Sequence, residues 1–196
     1  PGISAMYVTD DVVDDLDGES APFYEDLEWH LRKAESHQTP FTSAVPLFRA
    51  MAVAVEDIVA ETMPTRIRRH RRQAAAFRAG FTGMGLELFA NAEDATVLSN
   101  TVTAVSLPDA VAGDDADAFF DGVEDRNVSI SGGQAHLGGT IFRVSNMGGL
   151  PDEAILRGVR VVGEAMADAG VDVDVDAGTA AARATLDVAE TAPADD

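Results

Sequence analysis

The stretch from Ile130 to Gly148, Ile-Ser-Gly-Gly-Gln-Ala-His-Leu-Gly-Gly-Thr-Ile-Phe-Arg-Val-Ser-Asn-Met-Gly, constrains the fold more than any other part of this chain. Two glycine pairs, Gly132-Gly133 and Gly138-Gly139, bracket a short polar loop, and an apolar run stands on either side. Glycine lets backbone turn through positive φ or lie close against another segment, so the pattern predicts two strands joined by a tight loop. The second strand, Thr140–Ser145, carries Arg143 between Phe142 and Val144. A guanidinium cannot shed its charge, so an arginine in an apolar strand needs an anion. Either a protein Asp or Glu supplies it, or Arg143 is a fixed fork for the carboxylate or phosphate of a ligand. Both readings stand on spacing alone.

The surrounding pattern extends this unit. Leu86–Ala90, Thr101–Leu107 and Val128–Ser131 read as further strands. Asp115–Gly122 reads as a helix with Asp114 as N-cap, and Pro151 opens a helix to about Ala169 with Asp152 and Glu153 in its first turn. The order β-β-α-β-β-α predicts an α+β domain, a small antiparallel sheet covered by helices. Upstream, a helix over Thr65–Thr82 is set by Pro64 at its start and ended by Gly83 and Gly85. Its arginines, from Arg66 to Arg78, read as a solvated face that offsets the acidic remainder. Ala44 to about Glu61 is apolar on nearly all faces, the profile of a buried helix. Ile3–Thr9 reads as a strand in need of neighbours, Asp10–Glu19 as an acidic turn or short helix, and Phe23–Lys33 as a short, partly irregular piece. Thr39–Ser43 is a turn in which Pro40 keeps Thr39 extended. From Val171 a Val-Asp alternation leads into a weak helix, Ala177–Glu190, and a disordered end.

With 196 residues, 46% of them hydrophobic, the chain can build one domain or one domain plus a remnant of another. It contains 34 acidic and 14 basic residues, a net charge of −20, and Lys33 is its one lysine beside 13 arginines. Such acid-rich, lysine-poor surfaces suit a high-salt cytoplasm, where salt screens self-repulsion, and point to a haloarchaeal source. The same charge argues against nucleic acid as a partner. Cysteine is absent, which excludes disulfides and thiolate chemistry. The histidines at 30, 37, 70 and 136 lack metal-ligand spacing, so no metal is expected. No apolar run has transmembrane length, and no leader pattern opens the sequence.

Three segments, taken in order, resemble the C-terminal half of class V aminotransferases, in particular the alanine–glyoxylate and serine–glyoxylate (serine–pyruvate) group. The first is Thr39-Pro-Phe-Thr-Ser-Ala-Val-Pro-Leu-Phe-Arg-Ala-Met51, similar to the family's active-site loop and the long helix after it. The second, Arg66-Ile-Arg-Arg-His70 through Gly80 and on to Met84-Gly-Leu-Glu-Leu-Phe89, resembles the family's helix-to-strand passage. The third is the glycine-bracketed segment, which matches a Gly-Gly-Gln…Leu-x-Gly-x-Ile-Phe-Arg-x-x-x-Met-Gly pattern. The resemblance runs from Pro1 to about Gly170.

It implies a pyridoxal 5′-phosphate enzyme of fold type I, acting as a homodimer whose active sites form across the interface. Residues 1–43 would be the end of the cofactor-binding large domain with the active-site loop, 44–63 a long interdomain helix, 64–170 the small C-terminal domain and 171–196 an acidic tail. Arg143 would bind the α-carboxylate of amino and keto acid, while Thr42, with Thr39, would contact the cofactor phosphate of the neighbouring subunit. A residue-level alternative makes Thr42 the N-cap of the helix after it. Thr39 stands where many relatives carry an aromatic ring. The family's Schiff-base lysine lies a few residues before a Pro-Pro-Gly-like segment, and Pro1-Gly2 resembles the end of that segment. No catalytic residue is therefore expected in this chain, and Lys33 reads as a surface residue without catalytic context. Other fold-type I chemistries (a lyase or epimerase) and a non-catalytic α+β binding or assembly module are the alternatives. A cysteine desulfurase is disfavoured by the missing cysteine.

Overall fold

The computed structural model describes residues 2–16, 22–90 and 97–191, and the chain divides between Thr62 and Met63 into two compact units. In the first unit, residues 2–9 form no regular element and pair with no strand among the described residues, so the expected strand at Ile3–Thr9 is not formed. Without a neighbouring strand its backbone groups have no ladder to join. Three helices follow: α1 (Asp10–Asp14), α2 (Leu27–Glu35) and α3 (Val45–Glu61). The Asp26 carboxylate caps α2 by accepting the Trp29 N–H at 2.8 Å. Helix α3 forms where the sequence places it, but it is not buried. None of its residues is buried, and Val53 and Val59 are 60% and 70% exposed. Its all-round apolarity predicts a covering surface, which is lacking among the described residues.

The second unit carries the core. Its sheet has the order β1-β3-β2, all antiparallel, with β1 at Val102–Ser106, β2 at Ser131–Gly132 and β3 at Ile141–Ser145. The register pairs Ala104 and Ser131 with Arg143 from opposite sides, and Val105 and Gly132 with Phe142. Leu86–Ala90 is less than the expected strand. Leu88 forms a single bridge with Val105, and Ser106 donates its N–H to the Glu87 carbonyl at 2.9 Å. Residues 91–96, which follow, lie outside the described residues.

Four helices belong to this unit, α4 (Met63–Gly83), α5 (Ala116–Glu124), α6 (Asp152–Asp168) and α7 (Val175–Thr191), with α4 packed on β1 and α7 packed on α4 and α6. Phe142 is fully buried between Phe81 and Phe119, with ring centroids 5.5 and 5.4 Å away, which is edge-on aromatic packing distance. Helix α4 runs closely along α7: a Cβ on Gly178 would lie 2.6 Å from the Gly80 carbonyl oxygen, so the two backbones touch because that side chain is missing. The region read as an acidic tail thus begins with a packed helix that buries Ala182 and Leu186, while its last residues, 192–196, lie outside the described residues. Asp114 is not an N-cap. A 3-10 turn over Gly113–Asp115 precedes α5, whose N-cap is Asp115 without a side-chain bond.

The arginine face of α4 is partly tied into the fold. Arg72 pairs with Asp152 at 2.8 Å, and Gln73 donates to both Asp152 at 3.1 Å and the Leu150 carbonyl at 2.9 Å. At the end of β3, the buried Asn146 donates to the carbonyls of His70 and Asn100, each at 3.1 Å. Together these bonds fix the end of β3 and the start of α6 against α4.

Candidate functional site

The strand alternation puts Phe142 and Val144 into the core and leaves Arg143, between them, half-buried on the other face of β3. Its Nε donates to the Gly132 carbonyl of β2 at 2.9 Å. Arg143 forms no ion pair with any carboxylate among the described residues. The reading in which a protein Asp or Glu neutralises it finds no partner there. Both Nη groups keep donors available to an anion from outside.

The glycines around it have separate reasons. A Cβ on Gly133 would meet the Leu137 carbonyl oxygen at 1.9 Å, so only glycine lets the 3-10 turn Ala135–Leu137 fold back over the strand. Gly139 has φ +70° and lies against the Gly113 backbone, accepting that residue's N–H at 2.8 Å. The loop beside Arg143 is therefore held shut by backbone contacts at both ends. Ala135, at its tip, has φ 50°, a conformation disfavoured for a residue with a Cβ.

In the first unit, Thr39–Ser43 forms a closed polar turn ahead of α3. The Thr39 hydroxyl donates to the Phe41 carbonyl at 2.6 Å and lies 2.8 Å from the Ser43 hydroxyl. Thr42 is exposed, and its hydroxyl makes no hydrogen bond among the described residues. It does not cap α3, because the N-cap is Ala44 and has no side-chain bond. Thr42 and the start of α3 thus offer a free hydroxyl beside a helix N-terminus, donor chemistry that fits a phosphate. Phe41 packs with Phe23 and Tyr24, with centroids 6.1 and 4.8 Å away, which anchors the turn. Lys33 lies on α2 with its Nζ 4.6 Å from the centre of the Trp29 ring, which also faces Arg32. That is a surface cation–π contact, not the setting of a buried amine.

Sequence reasoning located Arg143 but not the Gly132 carbonyl that holds its Nε. No sequence signal marks that carbonyl, because the pairing of Gly132 with Phe142 that brings it beside Arg143 is set by the register. Arg78 is another arginine of note. Burial pulls its pKa below the ordinary arginine value, and its Nη1 donates to the Ser99 carbonyl at 3.3 Å.

No family model matches the chain. Among curated proteins it is 33% identical, over 178 residues, to an uncharacterised aminotransferase of Methanocaldococcus jannaschii, covering 88% of this chain and 44% of that protein. It is 34% identical, over 168 residues, to a protein of Synechococcus named as the small subunit of a soluble hydrogenase, covering 85% of this chain and 42% of the relative. Further relatives are named as aminotransferases that work with glyoxylate. Among solved structures, the pyridoxamine–pyruvate aminotransferase of Mesorhizobium loti superposes with a TM-score of 0.69 at 30% identity, over 76% of this chain and 37% of that one. The chain spans less than half the length of each of these proteins. Its α+β architecture, a three-stranded antiparallel sheet with covering helices, is part of an aminotransferase fold.

Proposed function

We propose that this chain is the C-terminal portion of a class V, pyridoxal-phosphate-dependent aminotransferase from a high-salt, haloarchaeal cytoplasm. The intact enzyme moves an amino group between a small amino acid, alanine or serine, and a 2-oxo acid such as glyoxylate or pyruvate. The observation that carries this reading is Arg143: a half-buried guanidinium beside a glycine-closed loop, with both Nη groups facing no carboxylate among the described residues.

Amino acid and keto acid share one feature, a carboxylate next to the reacting carbon. Arg143 binds that group in both half-reactions, and its planar fork fixes the carboxylate in orientation as well as in place. When bound, pyridoxal phosphate supplies the electron sink that lets the substrate Cα–H bond break. Thr42 donates its hydroxyl to the phosphate of the cofactor in the partner subunit, beside the N-terminus of α3. Thr39, whose own proton is committed to Phe41, shapes that turn. The exposed apolar residues of α3 suit a homodimer interface. Lys33 is not the tethering lysine in this reading, because it sits in a surface cation–π contact.

Arg143→Ala in the full-length enzyme is the decisive test. It is expected to raise KM for both amino donor and keto acceptor by the equivalent of about 1.5–3 kcal/mol, with cofactor affinity unchanged, on the scale of charge-assisted hydrogen bonds. Unaltered substrate kinetics would refute the assignment.

A further inference from the structure

An arginine can offer a carboxylate two paired edges: side-on, through Nε and one Nη, or end-on, through both Nη groups. In this chain the side-on edge is closed, because the Nε–H of Arg143 is donated to the Gly132 carbonyl at 2.9 Å. That carbonyl is itself held firmly. Gly132 pairs with Phe142 in the ladder, and the next residue, Gly133, donates its N–H to the Ile141 carbonyl at 3.1 Å. The Gly132 C=O and the Gly133 N–H belong to one planar peptide unit, so displacing Gly133 tilts the carbonyl. Gly133 has no room to move a side chain into: its Cβ would lie 1.9 Å from the Leu137 carbonyl oxygen and 2.4 Å from the carbon bearing it. Adding one carbon must shift either the Ala135–Leu137 turn or the peptide that anchors Arg143.

We infer that the Gly132 carbonyl is the positioning group for Arg143, holding it so that a substrate carboxylate is taken end-on by Nη1 and Nη2, and that side-chain-free Gly133 keeps that carbonyl in place. The inference rests on the aminotransferase reading and deepens it. It makes the approach directional: the carboxylate arrives along the long axis of the guanidinium, with one oxygen on each Nη. Gly133 touches no substrate and acts only through Arg143.

The direct test is a crystal structure of the full-length enzyme with propionate, which carries the substrate carboxylate without its amino group. The expected complex has the carboxylate oxygens on Nη1 and Nη2 with Nε still on Gly132. A carboxylate oxygen bonded to Nε would overturn the inference. In kinetics, Gly133→Ala is expected to raise KM for both substrates about 10-fold, the loss of one well-placed charge-assisted hydrogen bond, while kcat changes much less. In an Arg143→Ala background the same change should add nothing, because its effect passes through the guanidinium. An additive defect would mean a merely structural role and would sink the idea. If Gly133→Ala fails to fold, the propionate complex decides. The two levels separate cleanly: if Arg143→Ala leaves KM unchanged, the aminotransferase assignment of Arg143 fails. If Arg143→Ala raises KM and Gly133→Ala does not, only the positioning inference fails.

Discussion

The two halves of this chain use similar residues to opposite ends. From Met63 onward, Phe, Val, Met and Leu are gathered into one buried cluster between a three-stranded sheet and four helices. Up to Thr62, residues of the same kinds stand exposed: Met6, Tyr7, Phe48 and Val59 are all at the surface, and α3 buries none of its side chains. The difference teaches that helix formation and burial are separate consequences of sequence. Apolar periodicity and propensity are enough to wind α3, whereas covering it takes a second surface.

The largest effect should come from the core. Phe81→Ala, which empties a fully buried site beside Phe77 and Phe142, is expected to cost about 3–5 kcal/mol in denaturant unfolding, and Phe48→Ala on α3 about 0.5 kcal/mol or less. Equal losses at the two positions would erase the contrast between the halves. Next, Asn146→Ala strips hydrogen bonds from the carbonyls of His70 and Asn100 and should cost about 1–3 kcal/mol. A near-zero change would show that the polar tie between β3 and α4 is incidental. The smallest effect on stability belongs to Val53→Ser combined with Val59→Ser, within about 0.5 kcal/mol for the chain on its own. In the full-length protein the same pair should weaken self-association in sedimentation experiments, and unaltered association would remove α3 from the proposed interface.

Legibility followed locality. The spans of α3, α4, β1 and β3 could be read within a residue or two because periodicity, Pro64 and the glycine stops are local signals. Arg143 was legible for the same reason: its neighbours Phe142 and Val144 announce a strand, and an arginine there demands an anion. What failed to show depended on distant partners. Ile3–Thr9 has strand composition but no strand beside it among the described residues, and Leu86–Ala90 joins the free edge of β1 only through the Leu88–Val105 bridge and the backbone bonds from Phe89 to Ala104 and from Ser106 to Glu87. Asp114 looks like a helix cap until a 3-10 turn takes up that position. The weak helix expected at Ala177–Glu190 does form, as α7, but the contact with α4 that sets its place is not visible in its own periodicity.

The Gly80–Gly178 contact has a consequence for anyone mapping function by mutation. With the virtual Cβ of Gly178 at 2.6 Å from a carbonyl oxygen, every substitution there forces two helices apart, so the position will look as intolerant as Arg143 in a screen that counts survivors. The two failures differ in kind. Loss of Gly178 lowers the number of folded molecules and leaves the turnover of each survivor intact. Loss of Arg143, on the proposed reading, leaves the number and weakens the hold of each molecule on its substrate. A screen that measures abundance beside activity will separate architecture from chemistry, and one that measures activity alone will credit the helix contact with a catalytic part it does not play.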